Sequence, residues 1–344
     1  MSKFQRLYVQ CNPLLDISAS VDDAFFVKYH VSKASAALAS EEQMGIYADL
    51  EQQPNVAYVP GGSGLNTARV AQWIAQAPKG EFVSYVGCVA KDKHGDVLRD
   101  AAEKDGVHME LEYTTKAPTG TCAVCISGKE RSLVANLAAA NCLSAAHMQS
   151  AGVRQCLADA KLFYLTGFTL TIDVAYVVQV AEAARAAGGL FIMNLSAPFI
   201  IQFFTDNLNK VLPYVDVLFS NDDEAKVLAK TFGWDTADVL QIAQRAAAEL
   251  PYNGTKERLV VFTQGVADTV YATRSNSGRV PVAPVAAEKI VDTNGAGDSF
   301  VGGFLAAYAL GKDVPRCCEV GNYAAGVIIQ HDGCTYPAKP DITP

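Results

Sequence analysis

The stretch VDTNGAGDSF, Val291 to Phe300, sets Asp292, Asn294, Gly295, Gly297 and Asp298 directly ahead of the apolar run VGGFLAAYAL. The run predicts a helix whose small residues suit close packing. The two glycines before it let the backbone turn tightly and leave its N–H groups uncovered. A helix N-terminus with uncovered N–H groups binds anions. Asp298 stands at that same place, where its charge repels an anion. A carboxylate and an anion cradle built together demand a chemical reason.

Other stretches carry weaker signals. In VPGGSGLNTARVAQW, Val59 to Trp73, a strand, a glycine cluster and a helix follow one another. Gly62 and Gly64 loosely match a dinucleotide fingerprint, but the third glycine and the downstream acid are missing. A tight strand-to-helix turn explains Gly61 and Gly62 and leaves Asn66 unexplained; an Asn one turn into the helix suits a polyol. In CNPLLDISA, Asp16 is either a helix cap or surface acid, or an acceptor for two vicinal hydroxyls. In SNDDEA, Asn221 and Glu224 lie one helical turn apart, as a capped helix start or as two ligands on one face. There is no G-x-x-x-x-G-K-[ST] and no protein-kinase H-R-D or D-F-G set. The pair in CAVC, Cys122 and Cys125, has metal-ligand spacing without a second pair, and ordinary strand cysteines are expected. The 5 histidines show no H-x-x-x-H pairing, so a zinc hydrolase is unsupported.

These residues need a scaffold, and the chain supplies a large one. It has 344 residues, a formal net charge of −8, 50% hydrophobic and 19% charged residues, a globular composition. The acidic balance and the lack of a Lys/Arg block argue against nucleic acid. No apolar run reaches a membrane span, MSKFQRLYVQ lacks a secretory core, and KPDITP is no peroxisomal address. The odd count of 9 scattered cysteines fits a reducing compartment, so a cytoplasmic protein is the expectation. A monomer in solution is expected as well.

Apolar strands alternate with helical patterns. RLYVQC, NVAYVP, FVSYVG, KLFYLTG, LFIMNLS, VDVLFSN and RLVVFTQG read as strands; the first ends in a turn and the others are followed by helical patterns, RLVVFTQG after a hairpin-like stretch. That order predicts an α/β fold: a doubly wound, mainly parallel sheet with helices on both faces. Residues 14–58 and 114–136 break the rhythm with short alternating β patterns and are expected to meet as a small β-rich lid. The large domain would then comprise residues 1–13, 59–113 and 137–344.

Three of these motifs, in this order, carry a family resemblance. DTNGAGDSF resembles the C-terminal signature of the ribokinase (PfkB) carbohydrate and nucleoside kinases. PGGSGLNTARVAQW is similar to their N-terminal glycine signature, and NDDEA to their N-x-x-E motif. NPLLDISA, RSLVANLAAAN, NLSAPF and GCTYPAKPD resemble the members that act on adenosine rather than ribose or fructose. The resemblance implies a ribokinase-like fold, ATP as phosphoryl donor and adenosine as acceptor. It implies that Gly295, Ala296, Gly297 and the Asp298 amide hold the γ-phosphoryl, that Asp298 takes the proton of the ribose 5′-hydroxyl, and that Arg131 reaches the phosphates from the lid. Asn12, Asp16, Gly61, Gly62, Ser63 and Asn66 would hold the ribose. Leu133, Ala135, Phe168 and Phe199 would line a purine slot, with Phe168 stacked on the base. Asn194, Asn221, Glu224, Thr263, Gly265, Asn294 and Asn322 would line the ATP side, Glu224 acting on Mg²⁺ through water. A kinase of another nucleoside or sugar, and a catalytically dead nucleoside-binding protein, are the competing readings.

Overall fold

The computed structural model describes residues 4–33, 35–128 and 130–344. Among them the strands are β1 (Leu7–Gln10), β2 (Leu14–Ser20), β3 (Ala36–Leu38), β4 (Ala57–Gly61), β5 (Val83–Ala90), β6 (His108–Thr114) and β7 (Thr121–Ser127). There follow β8 (Glu130–Asn136), β9 (Leu162–Thr166), β10 (Leu190–Asn194), β11 (Val217–Asn221), β12 (Leu259–Gln264), β13 (Ala267–Ala272) and β14 (Ser277–Val280). They form two sheets. The larger has the order β14-β13-β12-β11-β10-β9-β1-β5-β6, the smaller β3-β8-β7-β2-β4.

The larger sheet is parallel from β6 through β12. Its central strands are buried along their whole length, as continuous apolar runs such as LFYLT in β9 and VSYVGCVA in β5 require. One core, with Phe163, Met193 and Phe262, fills one face; a second, with Tyr85, Tyr164 and Phe219, fills the other. From β1 the chain winds outward through β5 to β6, then returns to β9 and winds the other way. The two directions part between β1 and β9, and the connections leaving their carboxyl ends open a crevice there.

Three helices close the second face beside that crevice: Ser63–Ala75, Ala296–Tyr308 and Val314–Ile328. Their approach depends on small residues. A Cβ on Gly302 would stand 2.8 Å from the Thr67 carbonyl oxygen, and one on Gly303 2.6 Å from that of Val320. The run VGGFLAAYAL thus seats helix Ala296–Tyr308 against both neighbours, which fixes where its first turn points.

One expected element differs. NVAYVP, read as a strand of the large α/β alternation, is β4 and pairs antiparallel with β2 in the smaller sheet. Its half-exposed burial pattern suits an edge strand rather than a two-sided core. RLVVFTQG is followed, as expected, by a hairpin-like stretch before the next long helix, Ala296–Tyr308. Gly265 takes φ 58° in the turn that follows, and ADTVYA returns as antiparallel β13. The smaller sheet draws on both β-rich segments. It extends to Gly61 rather than ending near residue 58, while Thr114 stays in β6 of the larger sheet. Its far face carries a compact core of Ile17, Phe25, Phe26, Ile46, Leu50 and Cys125. Cys122 and Cys125 are both free thiols.

Candidate active site

Gly295 adopts φ 73° and caps helix Ala296–Tyr308, a left-handed turn that only glycine takes without strain. Within the turn Ala296 N–H donates to the Thr293 carbonyl at 3.3 Å and Ser299 N–H to that of Gly295 at 2.8 Å. That leaves the Gly297 and Asp298 N–H groups for a ligand, with the Asp298 side chain in that same first turn. Its carboxylate is held on both oxygens: Ser63 Oγ donates to Oδ1 at 2.5 Å and Asn66 Nδ2 to Oδ2 at 3.0 Å. Thr67 Oγ1 donates to the Asp298 carbonyl at 3.1 Å. The two glycine motifs, far apart in the chain, therefore meet as a pair of helix N-termini around one acid. Burial pushes the Asp298 carboxyl up, and the bonds from Ser63 and Asn66 pull it back.

Asp298 lines a cavity of about 310 Å³. Its walls come from the carboxyl ends of successive parallel strands: Cys11 and Asn12 after β1, Phe168 after β9, Asn194 on β10, Asn221 on β11 and Thr263 on β12. The smaller sheet covers one end, with Asp16, Leu133 and Ala135 facing the cavity opposite Phe168 and Phe199. These two rings lie 6.0 Å apart, tilted by 38°. The other end is polar, with Asn194, Asn221, Glu224, Thr263 and Asn294. The cavity thus has an apolar end under the smaller sheet, a polar end over the larger one, and Asp298 with Gly295 and Gly297 on its wall.

The electrostatics differ along it. Asp16 is half-buried in the cavity wall and its carboxyl is pushed up to about 8, first by desolvation, then by the charges of Asp298 and Asp292, with Arg69 pulling down. It packs so closely on Gly61 that a side chain there would overlap the carboxylate. Glu224 is pushed up to about 7, mainly by burial, while bonds from Asn221 and Ser220 oppose the shift. Asn221 and Glu224 form a reciprocal cap: Glu224 N–H donates to Asn221 Oδ1 at 2.8 Å and Asn221 N–H to Glu224 Oε2 at 3.2 Å. The capped-helix reading of SNDDEA and the cavity-facing one therefore hold together. The Oδ1 atoms of Asn12 and Asn66 are buried with no hydrogen-bond partner among the described residues, on the same side as Asp16.

Not every expected residue reaches the cavity. Ala296 and Gly61 lie behind its wall. Gly265 sits in the β12–β13 turn beyond Thr263, because its strand reverses rather than continuing into a helix over the cavity. Asn322 is turned away: its Oδ1 accepts from Thr269 Oγ1 at 2.8 Å and its Nδ2 donates to the Pro281 carbonyl at 3.3 Å. Arg131 lies in a smaller crevice that shares Asp16, Asn66, Asn294 and Gly295 with the main cavity. Its guanidinium is paired with Asp292 at 2.7 Å and Asp332 at 2.8 Å, which ties β8 of the smaller sheet to the segment ahead of the Gly295 turn.

Several lining residues carry no signal in the sequence. Cys11 bonds Thr166 Oγ1 at 2.9 Å, and burial pushes its thiol up to about 11, so it stands in the wall as a neutral group. Ser196 holds φ 71°, a conformation uncommon outside glycine, and its Oγ accepts from Gly167 N–H at 2.9 Å. It locks the β10 exit to the β9 exit. Ala36, Ala37 and Leu38 reach the cavity from β3, whose three residues are too few to show a pattern.

A profile of the pfkB family of carbohydrate kinases matches residues 32–341. The chain belongs to that family. It is 44% identical over 330 residues to adenosine kinase 2 of Arabidopsis thaliana, covering 96% of this chain and 95% of that protein. Among solved structures it is similar to adenosine kinase of Trypanosoma brucei brucei without ligand, with a TM-score of 0.90 and 56% identity over 96% of this chain and all of that one (100%). It is also similar to Anopheles gambiae adenosine kinase in complex with P1,P4-di(adenosine-5) tetraphosphate, with a TM-score of 0.92 and 43% identity over 98% of each chain. The ribokinase-like architecture and the kinase family are therefore shared along almost the whole length.

Proposed function

We propose that this protein is an adenosine kinase, transferring the γ-phosphoryl group of ATP to the 5′-hydroxyl of adenosine to give AMP and ADP. The observation that carries the reading is the position of Asp298: a half-buried carboxylate, held by Ser63 and Asn66, in the first turn of the helix that opens at Gly295. Apolar Leu133, Ala135, Phe168 and Phe199 lie to one side of it and polar Asn221, Glu224 and Thr263 to the other. A purine fits the first end and a nucleoside triphosphate the second. The mosquito relative's ligand carries an adenosine at each end of a polyphosphate, the pattern such a two-ended cavity accommodates.

The steps follow from the residues. Asp16 and the unpartnered Oδ1 atoms of Asn12 and Asn66 accept hydrogen bonds from ribose hydroxyls. That grip sets the 5′-hydroxyl against Asp298, which removes its proton as the oxygen attacks. Burial lifts the Asp298 carboxyl toward the operating pH, which favours a base that must both ionise and accept a proton. The amides after Gly295, with the helix dipole, receive the charge on the transferred phosphoryl oxygens and offset the repulsion from Asp298. In-line transfer of this kind needs mainly positioning and charge neutralisation. Arg131 adds a positive charge to the phosphates once it leaves Asp292 and Asp332 as the smaller sheet closes as a lid. The donor set fits Mg²⁺: Glu224 and Asp298 carboxylates with Asn221, Asn294 and Thr263 oxygens are hard ligands around one cavity. Both Glu224 oxygens already accept from Asn221, which favours contact through water. When bound with ATP, Mg²⁺ neutralises phosphate charge.

A coupled assay over adenosine, inosine, guanosine and ribose tests the reading. Adenosine is expected to give the highest kcat/KM and ribose the lowest, because ribose leaves the apolar end empty. Equal turnover of ribose would sink the purine assignment, and absence of turnover with every acceptor would sink the kinase.

A further inference from the structure

A second chemical cluster lies at the opposite end of the larger sheet's edge. His108 and Glu110 are two residues apart on β6, so both project from one face. Cys156, on helix Ala151–Asp159, packs over that face. One ligand atom from each lies within 4.8 Å of the others, and His108 Nε2 is 3.8 Å from Glu110 Oε2. We propose that His108, Glu110 and Cys156 form a zinc-class cation site that staples the edge strand to the helix, separate from the magnesium and ATP chemistry of the cavity.

The placement of each ligand supports it. Glu110 is folded over Gly152, where any side chain would overlap its carboxylate, so the helix is cut away to admit it. Among the described residues that carboxylate accepts no hydrogen bond; His108 is its partner. Cys156 is buried, and Ser84 of β5 is the register partner of His108. Without a cation, the half-buried carboxylate of Glu110 faces a buried thiol, and its charge opposes ionisation of the sulfur. A cation reverses that relation. It takes the sulfur as thiolate, the thiol proton leaves to solvent, and the neutral imidazole and the carboxylate donate lone pairs. Mixed sulfur, nitrogen and oxygen donors select zinc over magnesium or calcium. Tetrahedral zinc with bonds of ~2.0–2.3 Å holds its ligand atoms roughly 3.3–3.8 Å apart, within reach of small side-chain rotations here. Water completes the fourth position.

The test uses the whole chain, treated with chelator and without nucleotide. Co²⁺ serves as the spectroscopic stand-in, then Zn²⁺ as competitor. One equivalent of Co²⁺ is expected to give the visible bands of a tetrahedral ion and a near-ultraviolet thiolate charge-transfer band, both abolished by Zn²⁺. Cys156→Ser should remove the charge-transfer band. His108→Ala, at an exposed side chain that leaves the fold intact, should weaken Co²⁺ binding by about tenfold or more. That variant should keep basal turnover, and it should lose the few-degree rise in Tm that Zn²⁺ gives the parent chain. A charge-transfer band that persists in Cys156→Ser places the metal on another thiol and overturns the site. So does an unaltered affinity in His108→Ala, or the absence of any band in the parent chain.

Discussion

Two half-buried acids face the same cavity, one from the smaller sheet and one from a helix of the larger body, and they are held in opposite ways. Asp298, on the larger body, has both oxygens satisfied by Ser63 and Asn66 before any substrate arrives. Asp16, on β2 of the smaller sheet, accepts no hydrogen bond among the described residues, and its carboxyl is pushed up to about 8. The first is an acid preorganised for one geometry. The second is a desolvated acid whose hydrogen-bond donors have to come from a ligand. A carboxylate that faces only the cavity can accept charged hydrogen bonds from ligand hydroxyls, and bonds of that kind are the stronger ones. The contrast separates a group that acts in the chemical step from one that selects the substrate.

The largest expected effect breaks the first half of that contrast. Asp298→Asn keeps the shape and the helix-capping capacity but cannot take a proton. It is expected to lose roughly 10²–10⁴-fold in kcat while adenosine and ATP still bind. Calorimetry reports the binding and a single-turnover assay the chemistry; a variant that turns over near the parent rate would show that Asp298 is not the base.

Asp16→Ala should do the converse, weakening adenosine by ~2–4 kcal/mol while leaving ATP affinity nearly unchanged. Titration calorimetry with each nucleotide and nucleoside separates the two, and an unchanged adenosine Kd would remove Asp16 from the site.

A smaller effect sharpens the comparison through pH. With its carboxyl near 8 in the unliganded protein, Asp16 is mostly protonated at pH 7, and hydroxyl donors favour the ionised form. Adenosine affinity should therefore strengthen as pH rises toward 8, by up to about tenfold per unit, and level off above it. The stability of the unliganded chain should move the other way. An acid whose folded value is raised from 3.8 to about 8 contributes stability below the lower value, and that contribution is lost as pH rises to the upper one. Asp16→Asn should flatten both profiles, removing a slope of up to ~1.4 kcal/mol per pH unit from denaturant melts between pH 5 and 7. Identical slopes in parent and variant would contradict the assignment.

The smallest effect marks the boundary of the polar end. Asn322→Ala should leave the KM for ATP within about twofold, because Asn322 bonds Thr269 and Pro281 and faces away from the cavity. A large rise in KM would mean that Asn322 turns inward when ATP binds.

Much of the scaffold was legible in the residues. Apolar runs such as LFYLT and LFIMN, each followed by a helical period, lead to parallel β9 and β10, because a strand buried on both faces has to be apolar throughout. NVAYVP misled because a short apolar run before a glycine turn looks the same whether its strand joins the large sheet or the edge of the small one. Pairing with β2 decided it, and pairing is a long-range event. Arg131 shows the same limit at the site. Its charge is visible in the sequence, but its pairing with Asp292 and Asp332 depends on how the smaller sheet rests on the body.

The sequence by itself determined which groups could do chemistry: the glycines that free helix-terminal amides, the acid inside that turn, the Asn and Glu one helical turn apart. Those are local properties, set by backbone freedom, side-chain type and helical spacing, and they survive any packing that keeps the helix. Only the tertiary structure decided that Ser63 and Asn66 grip Asp298, that Asp16 lies half-buried in the cavity wall without a donor among the described residues, and that Ser196 and Cys11 stand in the wall. These depend on contacts between segments far apart in the chain, formed where β1 and β9 part and where Gly302 and Gly303 let three helices close together. Burial and partner identity, which set the charge state of each acid, are properties of that meeting place and of no single segment.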